Sequence, residues 1–161
     1  MSGADEIQVV QFGLGEEIFA VPVTLVREIL DYKEPFHVPG GPAYFLGLTD
    51  MRGNGVPTVD LRLRLGLPHA APTLTTRILI LDLTLADRAL TLGVVIDRVL
   101  SVTSIASARI EAAPDIGVRW NSDYITGVVR DERGFVVIVD IARIFSTSEA
   151  SALLGDIAAA A

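Results

Sequence analysis

The side chains that most often carry catalysis or bind metals are sparse in this sequence. It has two histidines, His37 and His69, and no cysteine. Each histidine stands close to a proline, and neither lies in an HExxH or other paired-ligand spacing. This pattern favours exposed loop histidines over catalytic or metal-binding ones. We therefore predict no catalytic residue, no metal site and no cofactor.

Acidic pairs are the other candidates for acid/base chemistry. Glu16-Glu17 and Asp131-Glu132 both fall where turns are expected, and exposed carboxylates are common there. The sequence contains no GxxxxGK[ST] phosphate loop and no GxSxG nucleophile elbow, and Gly13-Leu14-Gly15 lacks the third glycine of a dinucleotide-binding turn. A small β-barrel enzyme or ligand-binding barrel would need a buried polar cluster, which the pattern does not show. The sequence favours a non-enzymatic protein that works through its surface.

Composition narrows the class of partner and the compartment. The 161 residues are 50% apolar, which is enough for one packed core, and carry a net charge of −7. The twelve arginines and the single lysine, Lys33, form no basic cluster, so nucleic acid is an unfavourable partner. No apolar run approaches the roughly 18 residues of a membrane span, and the start of the chain is acidic and polar. Together with the absence of cysteine, this predicts a cytoplasmic protein without direct membrane insertion.

Short stretches rich in β-branched residues predict an all-β fold. A hairpin is expected over Glu6–Leu14 and Glu16–Val23, followed by a turn and a strand within Val26–Val38. A second hairpin is expected around Arg52-Gly53-Asn54-Gly55, where Asn54-Gly55 has the residue types of a type I′ turn. The other expected elements are strands at Arg77–Leu85, Ala89–Ile96, Arg98–Ile105, Tyr124–Arg130 and Phe135–Asp140, helical turns at Leu61–Leu65 and Ile141–Phe145, an irregular excursion at Ser107–Ser122, and a terminal helix capped by Ser146–Glu149.

An internal repeat gives the strongest evidence on architecture. Each copy contains an aromatic residue, a glycine, two strands joined by a turn, an aspartate and a short helical turn. Two copies are too few for a solenoid or a propeller and point to two similar small β-barrels packed together. The matching positions, all separated by the same offset, are Tyr44, Gly47, Val56, Val59 and Asp60 in the first copy and Tyr124, Gly127, Val136, Val139 and Asp140 in the second.

A charged pair beside aliphatic residues is the remaining candidate site. Glu28 lies on a predicted strand, where alternation would place it on the side of Val26 and opposite to Ile29, and Arg52 lies near the tip of the hairpin. A glutamate and an arginine on neighbouring strands form an ion pair that contributes about 0 to 1 kcal/mol when exposed. The sequence leaves two interpretations open, a purely structural pair and the rim of a binding surface.

The order and spacing of several motifs resemble the CheW family of bacterial chemotaxis. Val26 to Leu30 resembles the family's V-x-E-[IV] strand, Gly47 to Gly53 its G-[VL]-x-N-x-R-G turn, and Pro57 to Arg62 its P-[VI]-x-D-L-R strand. In the second half, Gly93 to Val99 resembles G-x-x-V-D-x-V, and Tyr124 to Ile141 resembles the closing hairpin. The resemblance covers about Gln8 to Phe145. One departure is Asp50, where the family usually has asparagine.

The resemblance implies a fold and a function. The fold would be one CheW-like domain over residues 1–161, built from two five-stranded SH3-like β-barrels around a shared hydrophobic core. Its pseudo-repeated sub-domains would be 7–66 and 77–145, followed by a helix or tail at 146–161. The function would be that of a chemotaxis adaptor recruited to receptor arrays. Such an adaptor binds the cytoplasmic signalling tip of a chemoreceptor and the regulatory domain of a CheA-type histidine kinase.

The resemblance also assigns roles to residues of this sequence. It implies a partner-binding set of Val26, Glu28, Ile29, Arg52 and Val99, whereas Gly47, Gly53, Pro57 and Asp60 would determine the fold. An adaptor of the same fold serving pilus motility or a developmental kinase pathway is the alternative that the motifs leave open.

Overall fold

The computed structural model describes residues 5–85, 87–111, 124–132 and 134–145. Within these ranges the chain forms ten β-strands and two four-residue α-helices, so it is all-β, as predicted. Most of the expected excursion at Ser107–Ser122 and the expected terminal helix from Ser146 lie outside the described residues. The strands are β1 (Glu6–Leu14), β2 (Glu17–Pro22), β3 (Val26–Asp31), β4 (Phe45–Met51), β5 (Asn54–Asp60), β6 (Arg77–Leu85), β7 (Arg88–Ile96), β8 (Arg98–Ala106), β9 (Ile125–Asp131) and β10 (Gly134–Val139). The helices are α1 (Leu61–Arg64) and α2 (Ile141–Ile144), and short 3-10 turns occupy Val23–Leu25 and Ser107–Arg109.

The strands form two five-stranded sheets, and each sheet contains strands from both copies of the repeat. The first sheet has the order β8-β1-β2-β10-β9 and the second has the order β3-β6-β7-β5-β4. Along the chain, the predicted halves 7–66 and 77–145 do contain the same succession of a hairpin, three strands and a helix. The sheets do not follow that division, because each combines the hairpin of one half with the three strands of the other. The parallel pairs β10–β2 and β5–β7 and the antiparallel pairs β1–β8 and β3–β6 join the two contributions.

Many strands are buried on both faces, which explains their continuous apolar runs. Along β6, Leu79 and Leu81 face a core shared by the two sheets, while Ile78 and Ile80 face a small core belonging to the second sheet. The first sheet has its own small core around Val9 and Ile138. The shared core contains side chains from both sheets, as predicted, and burying each large aliphatic side chain contributes about 1.5–3 kcal/mol.

Each sheet curls until one outer strand forms an isolated bridge with the segment that follows the other outer strand. In the second sheet, Phe36 and Leu48 exchange two backbone hydrogen bonds of 2.7 and 2.8 Å. In the first sheet, Glu111 and Val128 exchange two bonds of 2.9 Å each. Leu48 and Val128 are separated by the same offset as the repeat, so the two closures are equivalent. The finer SH3-like description of these curled sheets stays a prediction.

The closing bridges give the repeated glycine a physical reason. Gly47 has φ +132°, and a Cβ built there would lie 2.0 Å from the carbonyl oxygen of Phe36. At the equivalent Gly127, a Cβ would lie 2.4 Å from the Cγ2 atom of Ile110. A side chain at either position would therefore push away the segment that closes the sheet.

The other repeated residues shape the start of each helix. The Asp60 carboxylate accepts hydrogen bonds from the backbone N–H groups of Arg62 and Leu63, and the Asp140 carboxylate accepts one from Ala142. Each aspartate therefore caps its helix. The backbone N–H groups of the two aspartates also donate to the carbonyls of Tyr44 and Tyr124, at 2.8 and 2.7 Å. The repeated tyrosines thus stand where the backbone ties each helix start to the beginning of β4 or β9.

Asp97 stands at the point where the chain passes from β7 to β8. Arg62 donates two hydrogen bonds of 2.9 Å to the Asp97 carboxylate, and the backbone N–H of Gly15 donates a third at 2.6 Å. Burial alone would raise the pKa of Asp97, but the hydrogen bonds from Arg62 and Gly15 and the positive charges of Arg62 and Arg98 outweigh it and hold the pKa below its usual value. Asp97 is therefore a charged acceptor in the folded protein at neutral pH.

The closing bridge predicts the effect of a Gly47→Ala substitution. We expect Gly47→Ala to lower the free energy of unfolding by about 3 kcal/mol or more, because the added Cβ meets a backbone carbonyl and the positive φ disfavours alanine. Gly53→Ala is the matched control, since Gly53 has φ +87° but open space around it, and should cost about 1 kcal/mol. Urea unfolding measures both values, and equal losses would show that the closure does not require the glycine.

The lowered pKa of Asp97 predicts a pH dependence of stability. A carboxylate with a lowered folded-state pKa stabilises the protein above its unfolded pKa, and this contribution is lost as the pH falls through the folded value. Asp97→Asn should therefore lower stability at pH 7 by about 1–3 kcal/mol. The difference from wild type should shrink as the pH falls below about 4. Urea unfolding at pH 7 and pH 3.5 checks this, and a constant difference would contradict it.

Candidate functional site

The outer strands of the second sheet meet along a line that we call the seam. Its residues are Glu28, Ile29, Phe36, Leu48 and Arg52. Although β3 and β4 stand at opposite ends of the sheet order, the curl brings them together. The Phe36–Leu48 bridge and an ion pair between Glu28 and Arg52 both span the seam. The structure therefore joins the predicted glutamate and arginine.

The hairpin tip that carries Arg52 differs from the prediction. The two-residue loop is Arg52-Gly53, with φ angles of 55° and 87°, and Asn54 is already paired with Met51 in the ladder. The expectation that Asn54-Gly55 forms the turn is wrong. Asp50 accepts a hydrogen bond of 3.0 Å from the backbone N–H of Gly53. This bond stabilises the turn at Arg52-Gly53, two residues before the expected position. An asparagine side-chain oxygen could accept the same bond, so the departure from the usual family residue at position 50 is compatible with this turn.

Arg52 occupies a strained backbone position. Positive φ is unfavourable for arginine, since glycine and asparagine tolerate the left-handed region far better. A strained residue at an exposed tip is a reason to look for a function of its side chain. The Arg52 side chain is 78% exposed, and its Nη2 atom lies 3.3 Å from one Glu28 oxygen and 3.4 Å from the other. The arginine therefore presents most of its guanidinium to solvent while Glu28 orients it.

A bulge in β3 sets the faces on which the predicted aliphatic residues lie. Val26 pairs with Leu81 and Glu28 pairs with Ile80, so Arg27 is the additional residue. Val26 and Ile29 consequently share the face of the shared core, and Glu28 lies on the opposite face. The sequence pattern had placed Val26 and Glu28 together, which holds only for a regular strand. Val26 is half-buried against the shared core, whereas Ile29 is 38% exposed.

Val99 lies on the other sheet, at the position equivalent to Val26. β8 has the same kind of bulge, between its partners Gln11 and Phe12, and Val99 pairs with Phe12 on one side of it. Like Val26, Val99 is half-buried against the shared core. The structure thus gives Val26 and Val99 the same environment in two sheets, while Glu28, Ile29 and Arg52 gather at the seam.

Phe36 is the seam residue that the sequence pattern did not reveal. Its side chain is 76% exposed although its backbone forms the closing bridge with Leu48. An exposed aromatic held by two backbone hydrogen bonds is a well-positioned contact residue. The local signal was the Phe36-His37 dipeptide between Pro35 and Val38, whose pattern alone indicates a loop. The bridge that orders it is formed with Leu48, twelve residues further along the chain, and a local pattern does not show such a partner.

Two openings in the protein surface were considered as ligand sites. An open groove of about 330 Å³ is lined by residues that include Met51, Pro57 and Leu90. A smaller cavity of about 70 Å³ lies among Tyr32, Asp60 and His69. Burial, together with the carboxylates of Glu34 and Asp60, raises the pKa of Tyr32, which keeps its hydroxyl protonated at neutral pH. The smaller cavity is also lined by Arg62 and Asp97, so it does gather titratable groups. These groups are engaged in the fold, because Asp60 caps α1 and Arg62 bonds to Asp97.

A metal-binding cluster or a membrane-spanning helix would point to a different function. Among the residues that the structure describes, no group of three or more His, Cys, Asp or Glu side chains could hold a metal ion. Within the same part of the chain, no helix is long and apolar enough to cross a membrane. The candidate site is therefore the seam, a surface of two charges and two exposed apolar side chains.

Comparison with protein families identifies the domain. The family model described as CheW-like domain matches residues 8–149. The chemotaxis protein CheW of Treponema pallidum is 28% identical to this chain over 145 residues, which cover 90% of this chain and 85% of that protein. The chemotaxis protein CheW of Bacillus subtilis is 33% identical over 134 residues, which cover 83% of each.

A solved structure shows the same fold. The crystal structure of the scaffolding protein TtCheW from Thermoanaerobacter tengcongensis matches with a TM-score of 0.76 and 22% sequence identity. The match covers 89% of this chain and 94% of that chain. The arrangement of two curled five-stranded sheets is therefore shared with a CheW protein.

The strained turn predicts an unusual response to substitution of Arg52. Arg52→Asn relieves the backbone strain and should leave the protein at least as stable as wild type, because the exposed ion pair contributes only about 0–1 kcal/mol. Arg52→Ala removes the same pair but keeps the strain, so it should be less stable than Arg52→Asn by about 1 kcal/mol. Urea unfolding compares the two variants, and equal stabilities would show that the turn is not strained.

Proposed function

Because the chain belongs to the CheW family, we propose that it is a chemotaxis adaptor that couples chemoreceptors to a CheA-type histidine kinase. It would bind the cytoplasmic signalling tip of the receptor and the regulatory domain of the kinase, without catalysing a reaction. Its place of work would be the cytoplasm, at receptor arrays. The match to the family over residues 8–149 supports this assignment.

The seam is the observation that supports a binding role for particular residues. Arg52 is strained and 78% exposed, and it forms an ion pair that adds little stability. A stable fold would be served better by asparagine or glycine at this turn. The cost is understandable if the guanidinium contacts a partner. Charges of this kind give an interface specificity more than raw affinity.

The apolar seam residues suggest how a partner is held. Ile29 is exposed on the face of β3 opposite to Glu28, and Phe36 is exposed at the bridge to Leu48, so the seam offers apolar contacts in addition to its two charges. A helical receptor tip would lay apolar residues against the Val26, Ile29 and Val99 region. An exposed sheet edge would dock on the matching barrel of the kinase regulatory domain. Glu28 and Arg52 would fix the orientation of the bound partner.

Co-assembly of purified proteins tests the proposed function. Wild type should bind both a receptor signalling fragment and the kinase regulatory domain from the same organism. Glu28→Lys and Arg52→Glu should each abolish at least one of these interactions, because each places like charges across the seam. The free energy of unfolding of both variants should stay within about 1 kcal/mol of wild type, since the pair is exposed.

Arg143→Glu is the matched control for this experiment. Arg143 pairs with Asp140 at 3.4 Å, and the side chains are 66% and 34% exposed, close to the 78% and 31% of the Arg52–Glu28 pair. It lies on α2, which follows β10 of the first sheet, whereas the seam belongs to the second sheet, so its reversal should leave both interactions intact. Failure of wild type to bind either protein would contradict the coupling function. Normal binding by both seam variants would contradict the assigned surface.

A further inference from the structure

The chain passes between the two sheets at two places, and one of them is a single residue. After β2, the 3-10 turn Val23–Leu25 leads from the first sheet to the second, and Val23 and Leu25 pack on the shared core. After β7, Asp97 alone leads back from the second sheet to the first. The relative orientation of the sheets at this second crossing depends on what holds Asp97.

Asp97 is bonded to segments of both sheets. On the side of the first sheet, the backbone N–H of Asp97 donates to the Gly13 carbonyl at 3.1 Å, and its carboxylate accepts from the N–H of Gly15. On the side of the second sheet, its carboxylate accepts two hydrogen bonds from Arg62, and its carbonyl accepts one of 3.0 Å from the Thr75 hydroxyl. One residue therefore connects the end of β1, the β1–β2 turn, α1 and the loop before β6.

A second arginine strengthens the connection. Arg98 donates a hydrogen bond of 2.8 Å to the Gly15 carbonyl. Its guanidinium lies so close to Gly13 that a Cβ built there would come within 2.6 Å of the Arg98 Cζ atom. The β1–β2 turn is thus held between Asp97 and Arg98. We call the set of Gly15, Arg62, Asp97 and Arg98 the brace.

The brace is more protected than the exposed ion pairs of the surface. The side chains of Arg62 and Asp97 are 16% and 26% exposed, compared with 52% and 47% in the Arg27–Asp82 pair. The hydrophobic effect is not directional, so burial in the shared core specifies the relative angle of the sheets less strictly than a hydrogen-bonded contact does. A two-point arginine–carboxylate contact is directional and fixes both distance and angle. The brace adds a directional constraint to the packing of the shared core.

The brace is also remote from the seam. β5 and β7 run parallel, and both start at the end of the second sheet where the Arg52-Gly53 turn lies. Arg62 follows β5 and Asp97 follows β7, so both stand at the opposite end of these strands. Seven residues of β5 separate the two ends by about 20 Å. Substitutions in the brace therefore leave the residues of the seam in place.

We propose that Arg62 and Asp97 are positioning residues that hold the two sheets in the relative orientation needed for coupling, without contacting either partner. The proposal rests on the proposed function, in which one chain holds two partners at once. If the sheets rotate freely, each partner still binds, but the geometry of the ternary complex is no longer fixed. Loss of the brace should therefore weaken the response of the kinase more than it weakens either binary interaction.

The first test measures the orientation of the sheets directly and needs no partner. The native sequence has no cysteine, so Ser104→Cys on β8 and Thr84→Cys on β6 introduce the only two sites for spin labels. Pulsed electron spin resonance should give one narrow distance distribution for the otherwise wild-type protein. Asp97→Asn should broaden it, and Arg62→Lys should broaden it less, because lysine keeps the charge but loses the two-point contact.

Asp31→Asn is the matched control, since it makes the same chemical change in an exposed pair. Asp31 is 95% exposed, and one of its carboxylate oxygens lies 3.5 Å from Arg77. Its distance distribution should match that of the wild-type background. Circular dichroism and an unfolding curve for each variant establish that it is folded at the temperature of the measurement. An unchanged distribution in folded Asp97→Asn would overturn the proposal.

The second test separates coupling from binding. Dissociation constants for the receptor fragment and for the kinase regulatory domain are measured one at a time, followed by kinase activity in the ternary complex. Asp97→Asn should keep each constant within about twofold of wild type while the receptor-dependent change in kinase activity falls about fivefold or more. Wild-type coupling by Asp97→Asn, or binary affinities that fall as far as the kinase response, would overturn the proposal. Failure of the wild-type protein to couple would instead contradict the proposed function, and the spin-label distances would still test the brace.

Discussion

The parallel pairing of β5 with β7 and of β10 with β2 is the constraint on which the rest of the structure depends. Each pair joins strands from different halves of the chain, so neither half can complete a sheet by itself. The exchange buries strands such as β6 and β10 between a sheet's own small core and the shared core. It also forces the chain to cross between the sheets, after β2 and after β7. The closing bridges and the two crossings are both consequences of this exchange, because each sheet is completed by strands from the other half of the chain.

The sequence predicted the parts of this architecture that depend on local chemistry. The repeated aspartates were expected where a strand gives way to a helical turn, and Asp60 and Asp140 cap helices there. The hairpins and the approximate strand limits also follow from alternation and turn residues. The partners of the outer strands could not be predicted, because the Phe36–Leu48 bridge is formed between segments whose own patterns show a loop and a strand. The turn at Arg52-Gly53 was missed for a related reason. The ladder register of the whole sheet outweighed the preference of Asn54-Gly55 for a type I′ turn.

The candidate site was predictable in part. Glu28 and Arg52 were expected on neighbouring strands, and they form the ion pair across the seam. The bulge at Arg27 was not visible in the sequence, so the faces of Val26 and Glu28 were assigned as in a regular strand. The contact between Arg62 and Asp97 was also hidden, since the two residues lie 35 positions apart and each belongs to a separate motif. Long-range contacts of this kind come from tertiary packing, which a local pattern does not encode.

The internal repeat separates the residues that the fold requires from those that it does not. Tyr44, Gly47 and Asp60 recur in the second half, and Val26 recurs as Val99 at an equivalent bulge, so these residues answer needs common to both sheets. The seam charges do not recur. Glu28 lies two residues after Val26, and the residue two positions after the equivalent Val99 is Ser101. The residue separated from Arg52 by the offset of the repeat is Glu132.

The brace is not repeated either. Asp97 lies two residues before Val99, and the residue two positions before the equivalent Val26 is Thr24. The residue separated from Arg62 by the offset of the repeat is Ala142. Among the residues that the structure describes, the first crossing is held by Val23 and Leu25, which pack on the shared core, and it has no counterpart of the Arg62–Asp97 pair. Within that part of the chain, the fold itself therefore does not demand such a pair at a crossing. A buried ion pair costs desolvation, and apolar residues often replace such pairs without loss of stability. The charged brace at a single crossing is best explained by a need for fixed geometry between the two sheets.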